Sequence, residues 1–295
     1  MAGRTGTPLW LERPSTPVRI GKAVVIGLIL LVMLYPFAYV VLASFGSNHS
    51  HKQIGLIPSD FSLSSYTSIL SGGVVTRALV VSIGITTVGT LLSVFFTATL
   101  AYGLTRTKDV PGTRTMLYLI LVTMFFAAGI IPNYLLVKRL GLIDSYWSLI
   151  LPTLISAFNM IVLRNFFLQL PRELLDAARI DGAGEWQIFV GIVLPLSRAV
   201  LAVIALFYAV GYWNSFFNAI LYLNDSAKWP IQLVLNQYVL RGSSLQQIQN
   251  PEAPVPPAEA VQMAVVVLAT LPILVVYPFV QKYFTKGVLT GAVKG

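Results

Sequence analysis

Hydrophobic residues in this 295-residue chain come in long unbroken stretches, with charge confined to the gaps between them. Residues 23–51, 78–105, 115–137, 145–163, 199–224 and 260–281 contain no Asp, Glu, Lys or Arg. Each stretch holds 19 residues or more, and about 20 helical residues cross the hydrocarbon core of a bilayer. The pattern predicts an all-α integral membrane protein with six transmembrane helices. Hydrophobic residues make up 56% of the chain and charged residues 11%, against about 25% charged in soluble domains. With a mean hydropathy of +0.77, a soluble core could not hide this excess. The first apolar run, Ala23 to Phe45, is too long for the core of a cleaved signal and reads as a retained helix. The expected layout is a tail over 1–22, a first crossing over 23–46, an outer loop over 47–74, a core over 75–284 and a tail over 285–295.

Charge orients the crossings. With the N-terminus cytoplasmic, the inner segments hold 14 of the 20 basic residues, among them Arg106, Arg114, Arg164, Arg172 and Arg179. The outer loops hold the other 6, namely Lys52, Arg77, Lys138, Arg139, Lys228 and Arg241. That bias predicts cytoplasmic termini. It also accounts for the net charge of +9 without a nucleic-acid partner, which would need a soluble basic face. There is no cysteine, so disulfide and thiol chemistry are excluded.

One inner segment departs from this acid-poor background. In LPRELLDAARIDGAGEWQIFVGIVLP, residues 170–195, four of the chain's 11 acids (Glu173, Asp176, Asp181 and Glu185) fall within residues 173–185. Pro171 suits a helix start, and Glu173 and Asp176 lie where the helix dipole favours anions. Leu170, Leu174, Ala177, Ala178 and Asp181 follow helical spacing, and Gly182 supplies a stop free to adopt positive φ. A second short amphipathic piece carries Trp186, Phe189, Ile192 and Val193. Too short to span, the block reads either as an anchor flat at the headgroups or as a docking knob for a cytoplasmic partner.

Other chemistry is sparse. No G-x-x-x-x-G-K-[ST] phosphate loop occurs, so the chain carries no ATPase of its own and is not expected to be an enzyme. Leu70-Ser71-Gly72-Gly73 mimics an ATPase signature but falls on the outer side and reads as a turn. His49 and His51 have no neighbouring acid or cysteine to complete a metal site. Pro36, Pro132, Pro152, Pro272 and Pro278 fall inside crossings, where they can kink helices. Tyr212, Trp213, Asn214, Phe217 and Asn218 form a polar, aromatic belt in the fifth crossing, with Asn214 and Asn218 four apart. Amides in hydrocarbon need protein or water partners. The belt therefore suits sugar rings in a passage, or hydrogen bonding to a partner subunit. Asn133 and Asn159 are further candidates of that kind. The outer segment 224–259 ends in the Gln-, Pro- and Ser-rich GSSLQQIQNPEAPVPPAEA and reads as a long loop, either functional or a spacer.

The segment DAARIDGAGEWQIFVGIVLP resembles the cytoplasmic signature loop of ABC-importer permeases, whose usual form is E-A-A, three residues, then G, closing in Leu-Pro. Asp176 stands where Glu is usual, while Ala177, Ala178, Asp181, Gly182 and Ala183 match directly. YWNSFFNAILYLND at 212–225 and the closing QKYFTKGVLTGAVKG are similar to the maltose-type oligosaccharide permeases, above all to the branch importing polysaccharide fragments such as alginate or pectin-derived oligosaccharides. The resemblance implies a type I ABC-importer fold. Its coupling helix, with Glu173 on it, docks into an ATPase subunit, and the ATPase pair rather than this chain binds ATP and Mg. It also implies a second, different permease subunit, an extracytoplasmic solute-binding protein reached by the loop at 224–259, and residence in a bacterial cytoplasmic (inner) membrane. An importer of another solute and an autonomous secondary transporter are the rivals. The latter usually carries intramembrane ionisable residues, and the six blocks have no Asp, Glu, Lys or Arg.

Overall fold

The computed structural model describes residues 16–46, 61–106, 110–126, 128–241 and 258–292. His49, His51, Lys52 and residues 242–257 lie outside them. Among the described residues the chain is helical: α1 (Thr16–Ala43), α2 (Ser64–Ser71), α3 (Val74–Gly103), α4 (Thr113–Phe125), α5 (Ile130–Arg139), α6 (Trp147–Ile150), α7 (Ala157–Leu168), α8 (Arg172–Ile180), α9 (Glu185–Ile188), α10 (Leu194–Leu196), α11 (Arg198–Trp213), α12 (Phe216–Tyr222), α13 (Ile231–Arg241) and α14 (Ala258–Ala292).

Three segments are continuous, long and apolar enough to cross a bilayer: α1, α3 and residues Glu259–Pro278 of α14. The other apolar blocks are broken. Block 145–163 bends by 50° between Trp147–Thr153 and α7, and α9–α10 meet α11 at 83°. Block 115–137 is divided into α4, which ends at Phe125, and α5, which begins at Ile130. Gly129 at φ +84 begins the second piece, a conformation open to glycine. Among the described residues the six uncharged blocks thus give three continuous helices, or up to five spans when each bent pair is taken as one. Charge marks the limits of hydrocarbon but not of helix. The first helix accordingly starts at Thr16, with Pro17 in its first turn, rather than at residue 23.

The spine is α3. One ridge of it (Ala78, Ser82, Gly89, Ser93, Thr97 and Ala101) is buried along the whole helix. Small residues let neighbouring backbones approach closely. A Cβ on Gly89 would come within 2.8 Å of the Tyr212 ring, so only glycine fits beneath α11. The ridge also supplies hydroxyls. Ser93 Oγ is 2.8 Å from the Tyr212 hydroxyl, and Thr97 Oγ1 is 2.7 Å from that of Tyr208. Such interhelical bonds contribute about 0.6 kcal/mol each, and here they fix the rotation of α11 on α3.

Three apolar clusters succeed one another along this spine. Val75 and Ala78 meet Trp213, Ile231 and Val265 at one end. Ile85 meets Leu149, Ile204 and Tyr222 in the middle. Ala98 and Leu104 meet Met160, Phe167 and Phe189 at the other end. Part of the segment read as a long outer loop is therefore core. Helix α13 buries Ile231, Leu233, Val234 and Tyr238, and the Ile231 N–H donates to Ser82 Oγ at 2.8 Å.

At the Ile231 end a compact clasp joins two connections. Asp144, at φ +60, accepts from the backbone N–H groups of Asn224 and Asp225 and pairs with Lys228 Nζ at 2.8 Å. The Lys228 ammonium and those N–H groups hold the Asp144 carboxyl below the usual carboxylate range.

Candidate functional site

The acidic window folds into a capped, outward-facing helix. Pro171 precedes α8, and Gly182 ends it at φ +84. The Ala183 N–H donates to the Ala178 carbonyl at 2.9 Å and the Gly182 N–H to the Arg179 carbonyl at 3.0 Å. This pair of bonds is a Schellman stop, which requires a residue in the left-handed region. Leu175, Ala178 and Ala183 pack inward on the cluster around Phe167 and Phe189. Glu173, Asp176, Ala177, Asp181 and Gly182 are exposed, as are Leu174 (46%), Trp186 (57%) and Ile180 (86%). Aliphatic side chains this bare beside acids make a surface with apolar points and a charged rim.

The window is locked to the end of α3. Glu185 accepts from Arg106 Nη2 at 2.9 Å, Tyr102 Oη at 2.5 Å and Arg179 Nε at 3.2 Å. Arg106 also donates to the Tyr102 hydroxyl at 2.7 Å and lies over that ring. Arg179 is held from its other side by Asp176 at 2.8 Å. Burial disfavours the Glu185 carboxylate, but the Tyr102 hydroxyl and the two guanidiniums outweigh it and leave its pKa below the usual range. Arg164 adds a bond from α7, Nε to the Leu104 carbonyl at 2.9 Å. Of these residues Asp176, Arg179 and Glu185 stood in the segment that the sequence marked out. Tyr102 and Arg106 lie 79 or more residues away. The clue available was scarcity: so few acids among so many bases predict that each has a partner.

A second feature lies between two helix breaks. The turn over residues 151–156 and the break at Asn214–Ser215 border an open cavity of about 630 Å³. Aromatic walls come from Phe158, Phe207, Tyr208 and Phe217, and amides from Asn159, Asn214 and Asn218. Tyr208 holds the first break open, its hydroxyl accepting from the Ser156 N–H at 2.8 Å. Non-helical backbone at membrane depth is tolerated where protein buries it or it lines a cavity.

The belt read from the sequence is divided by this geometry. Asn214, Phe217 and Asn218 line the cavity, but Asn214 ends α11 and Asn218 belongs to α12. The single-helix face inferred from their four-residue spacing does not exist. Trp213 is not in the cavity wall. It is 5% exposed, packs in the cluster around Val75 and Val265, and donates from Nε1 to the Ala269 carbonyl at 3.1 Å. Its polar handle is spent inside the bundle, and its ring lies outside this cavity. Tyr212 borders the cavity, but its hydroxyl donates to the Ile150 carbonyl at 3.3 Å and meets Ser93. Asn133 is exposed on α5, away from the cavity. Asn159, at 5% exposure, is in the wall. Among the described residues no cluster of His, Cys, Asp and Glu could hold a metal ion.

Comparison with known proteins agrees with this architecture. The sequence profile described as "Binding-protein-dependent transport system inner membrane component" matches residues 99–290. The chain is 48% identical to the polygalacturonan/rhamnogalacturonan transport system permease protein YtcP of Bacillus subtilis (strain 168), over 90% of this chain and 94% of that one. It is also 48% identical to Protein LplC of the same strain, over 90% of each. A bacterial ABC transporter "involved in the import of the acidic polysaccharide alginate" contains a chain of the same fold. Its crystal structure superposes with a TM-score of 0.85 at 31% identity, covering 92% of this chain and 99% of that one. The capped window, the broken helices around a cavity and these matches lead to one assignment: the chain belongs to the family of binding-protein-dependent transport system inner membrane components, as a membrane-spanning ABC-importer permease subunit.

Proposed function

We propose that this subunit imports acidic oligosaccharides of the pectin type, driven by a separate ATPase pair that binds ATP and Mg. It pairs with a second, different permease and receives substrate from an extracytoplasmic binding protein. The observation that carries this reading is mechanical continuity. The exposed face of α8 is locked through Glu185 to α3, and α3 in turn holds α11, whose far end walls the cavity. Closure of the ATPase dimer against Glu173, Asp176, Ala177, Ala178, Asp181, Gly182 and Ala183 would rotate α3 and α11 together and open the cavity to alternate sides. The proposed substrate class is supported by the 48% identity to a polygalacturonan/rhamnogalacturonan permease and by the alginate importer's fold.

Reconstitution tests the proposal. Proteoliposomes holding both permeases, the ATPase and the binding protein should accumulate labelled trigalacturonate only with ATP inside the liposome compartment that exposes the ATPase. Maltotriose should not accumulate. Uptake driven by a proton gradient without ATP would favour the secondary-transporter rival, and ATP-driven uptake of maltotriose alone would overturn the substrate class.

Orientation is tested separately. The ion pairs of Glu185 and of Asp144 lie at opposite ends of α3, and the charge count assigns the Glu185 end to the cytoplasm. The chain has no cysteine, so background labelling is low. Cysteine at exposed Ser226 should react with an impermeant maleimide added to whole cells, and cysteine at exposed Gly184 only after lysis. The opposite pattern would reverse the orientation and detach α8 from the motor.

A further inference from the structure

The cavity's lining has a chemistry that the substrate class alone does not predict. It offers aromatic faces and neutral hydrogen-bonding groups, and among the described residues that line it there is no Lys, Arg, His, Asp or Glu. A carboxylate entering such a site finds no cation among these lining residues to pair with. The neutral groups, by contrast, are free to act. Asn159 is 95% buried on the count of its 5% exposure. Its backbone N–H is taken by Ser156 Oγ, and its side-chain amide has no partner among the described residues although it faces the cavity. Ser215 Oγ, in the same wall, is buried and unpartnered as well. The Asn159 amide, which lines the cavity and has no protein partner among the described residues, is thus available to a hydroxyl that enters it.

We propose that this cavity is a hydroxyl-reading subsite that takes the uncharged face of a sugar ring, with Asn159 and Asn218 as its specificity-determining residues, and that the substrate's carboxylates are not recognised by this chain. The inference rests on the substrate class proposed above. Phe158, Phe207 and Phe217 provide flat apolar surfaces for the ring's CH faces. The Asn159 amide can donate to one hydroxyl and accept from another. The acid groups then face the second permease or solvent, and charge selection resides there.

A pair of probes that share rings and hydroxyls but differ at the carboxyl separates the possibilities: trigalacturonate and its uncharged methyl ester. Initial uptake is measured in the full complex below saturation, as the ratio of variant to wild type for each compound. Asn159→Leu removes the amide and keeps the branched shape and the number of heavy atoms. Losing one such neutral bond should lower uptake about five-fold, and by the same factor for acid and ester. Asn218→Leu, at a half-buried position on α12, should show the same equal loss, and it decides the matter should Asn159→Leu fail to assemble. Selective loss of the acid would show that the cavity reads carboxylates and overturn the proposal. Unchanged uptake of both compounds would remove the cavity from recognition. A wild-type complex that moves neither compound overturns the substrate class itself, an outcome distinct from a wild type that moves both with indifferent variants.

Discussion

Replacing Gly182 with valine is expected to cut binding-protein-stimulated ATPase activity at least about ten-fold in the reconstituted complex, while membrane insertion and basal ATP hydrolysis persist. Gly182 sits at φ +84, and a Cβ there would meet nothing within 4 Å. The penalty therefore lies in the backbone. A β-branched residue in the left-handed region costs on the order of 1–3 kcal/mol. The nine-residue α8 has little to set against that, because isolated helices of its length are unstable in water. Its last turn would open, and with it the two Schellman bonds that present Asp176, Ala177 and Asp181. Two controls isolate the cause. Asn tolerates positive φ, so Gly182→Asn should keep most of the stimulation. Gly184 lies two residues on, but at φ −69 and ψ 158, which any residue adopts. Its nearest neighbour to an added Cβ is Gln187 Oε1 at 3.7 Å. Gly184→Val should therefore be nearly silent on folding. Full stimulation in Gly182→Val would dissociate this helix from the motor.

The helix stop at Gly182 was legible because its cause is local: a small residue after an amphipathic turn, at the one place where positive φ is needed. The all-α, membrane-spanning class was legible for a similar reason, since uncharged blocks of 19 residues or more admit few other structures. The broken helices were less so. Pro152 was a possible kink, but the break at Gly129 went unmarked, and Asn214–Ser215 carries neither glycine nor proline. Its interruption and the cavity beside it depend on groups far along the chain. Spacing then misled, because Asn214 and Asn218 share a face only if one helix runs through both. Trp213 shows the same limit. An amphipathic ring in a polar belt has two equally good uses, and the carbonyl that claims its N–H belongs to Ala269, 56 residues away. Helix α13 hid because the segment containing it ends in Pro- and Gln-rich sequence, which coloured the whole stretch as loop.

Glu185→Gln is expected to uncouple the transporter almost as severely, by a different route. The substitution keeps the shape of the side chain but removes the charge that gathers Tyr102, Arg106 and Arg179. Hydrogen bonds to charged groups contribute about 1.5–3 kcal/mol each when well shielded. Glu185 has a side-chain exposure of 56% and Arg179 of 36%, whereas Arg106 has 18%. The Arg179 pair is therefore screened to about 1 kcal/mol or less, and the bonds to Arg106 and Tyr102 carry most of the lock. A net loss of about 1.5 kcal/mol would reduce transmitted stimulation roughly ten-fold. α8 itself would remain folded, since its cap does not involve Glu185, and circular dichroism should not change. Arg106→Gln should resemble Glu185→Gln, and the double variant should be no worse than either, because the two remove one interaction. The pH dependence has a definite sign. A carboxylate whose folded-state pKa is depressed contributes stability above the ordinary carboxylate range and loses it as pH falls through the folded value. The coupling defect of Glu185→Gln should therefore be constant between about pH 6 and 8, and the wild type should approach the variant only in acid below the normal range of a glutamate. Additive losses in the double variant, or normal stimulation in Glu185→Gln, would mean that force passes from α8 to the membrane helices by some contact other than this one.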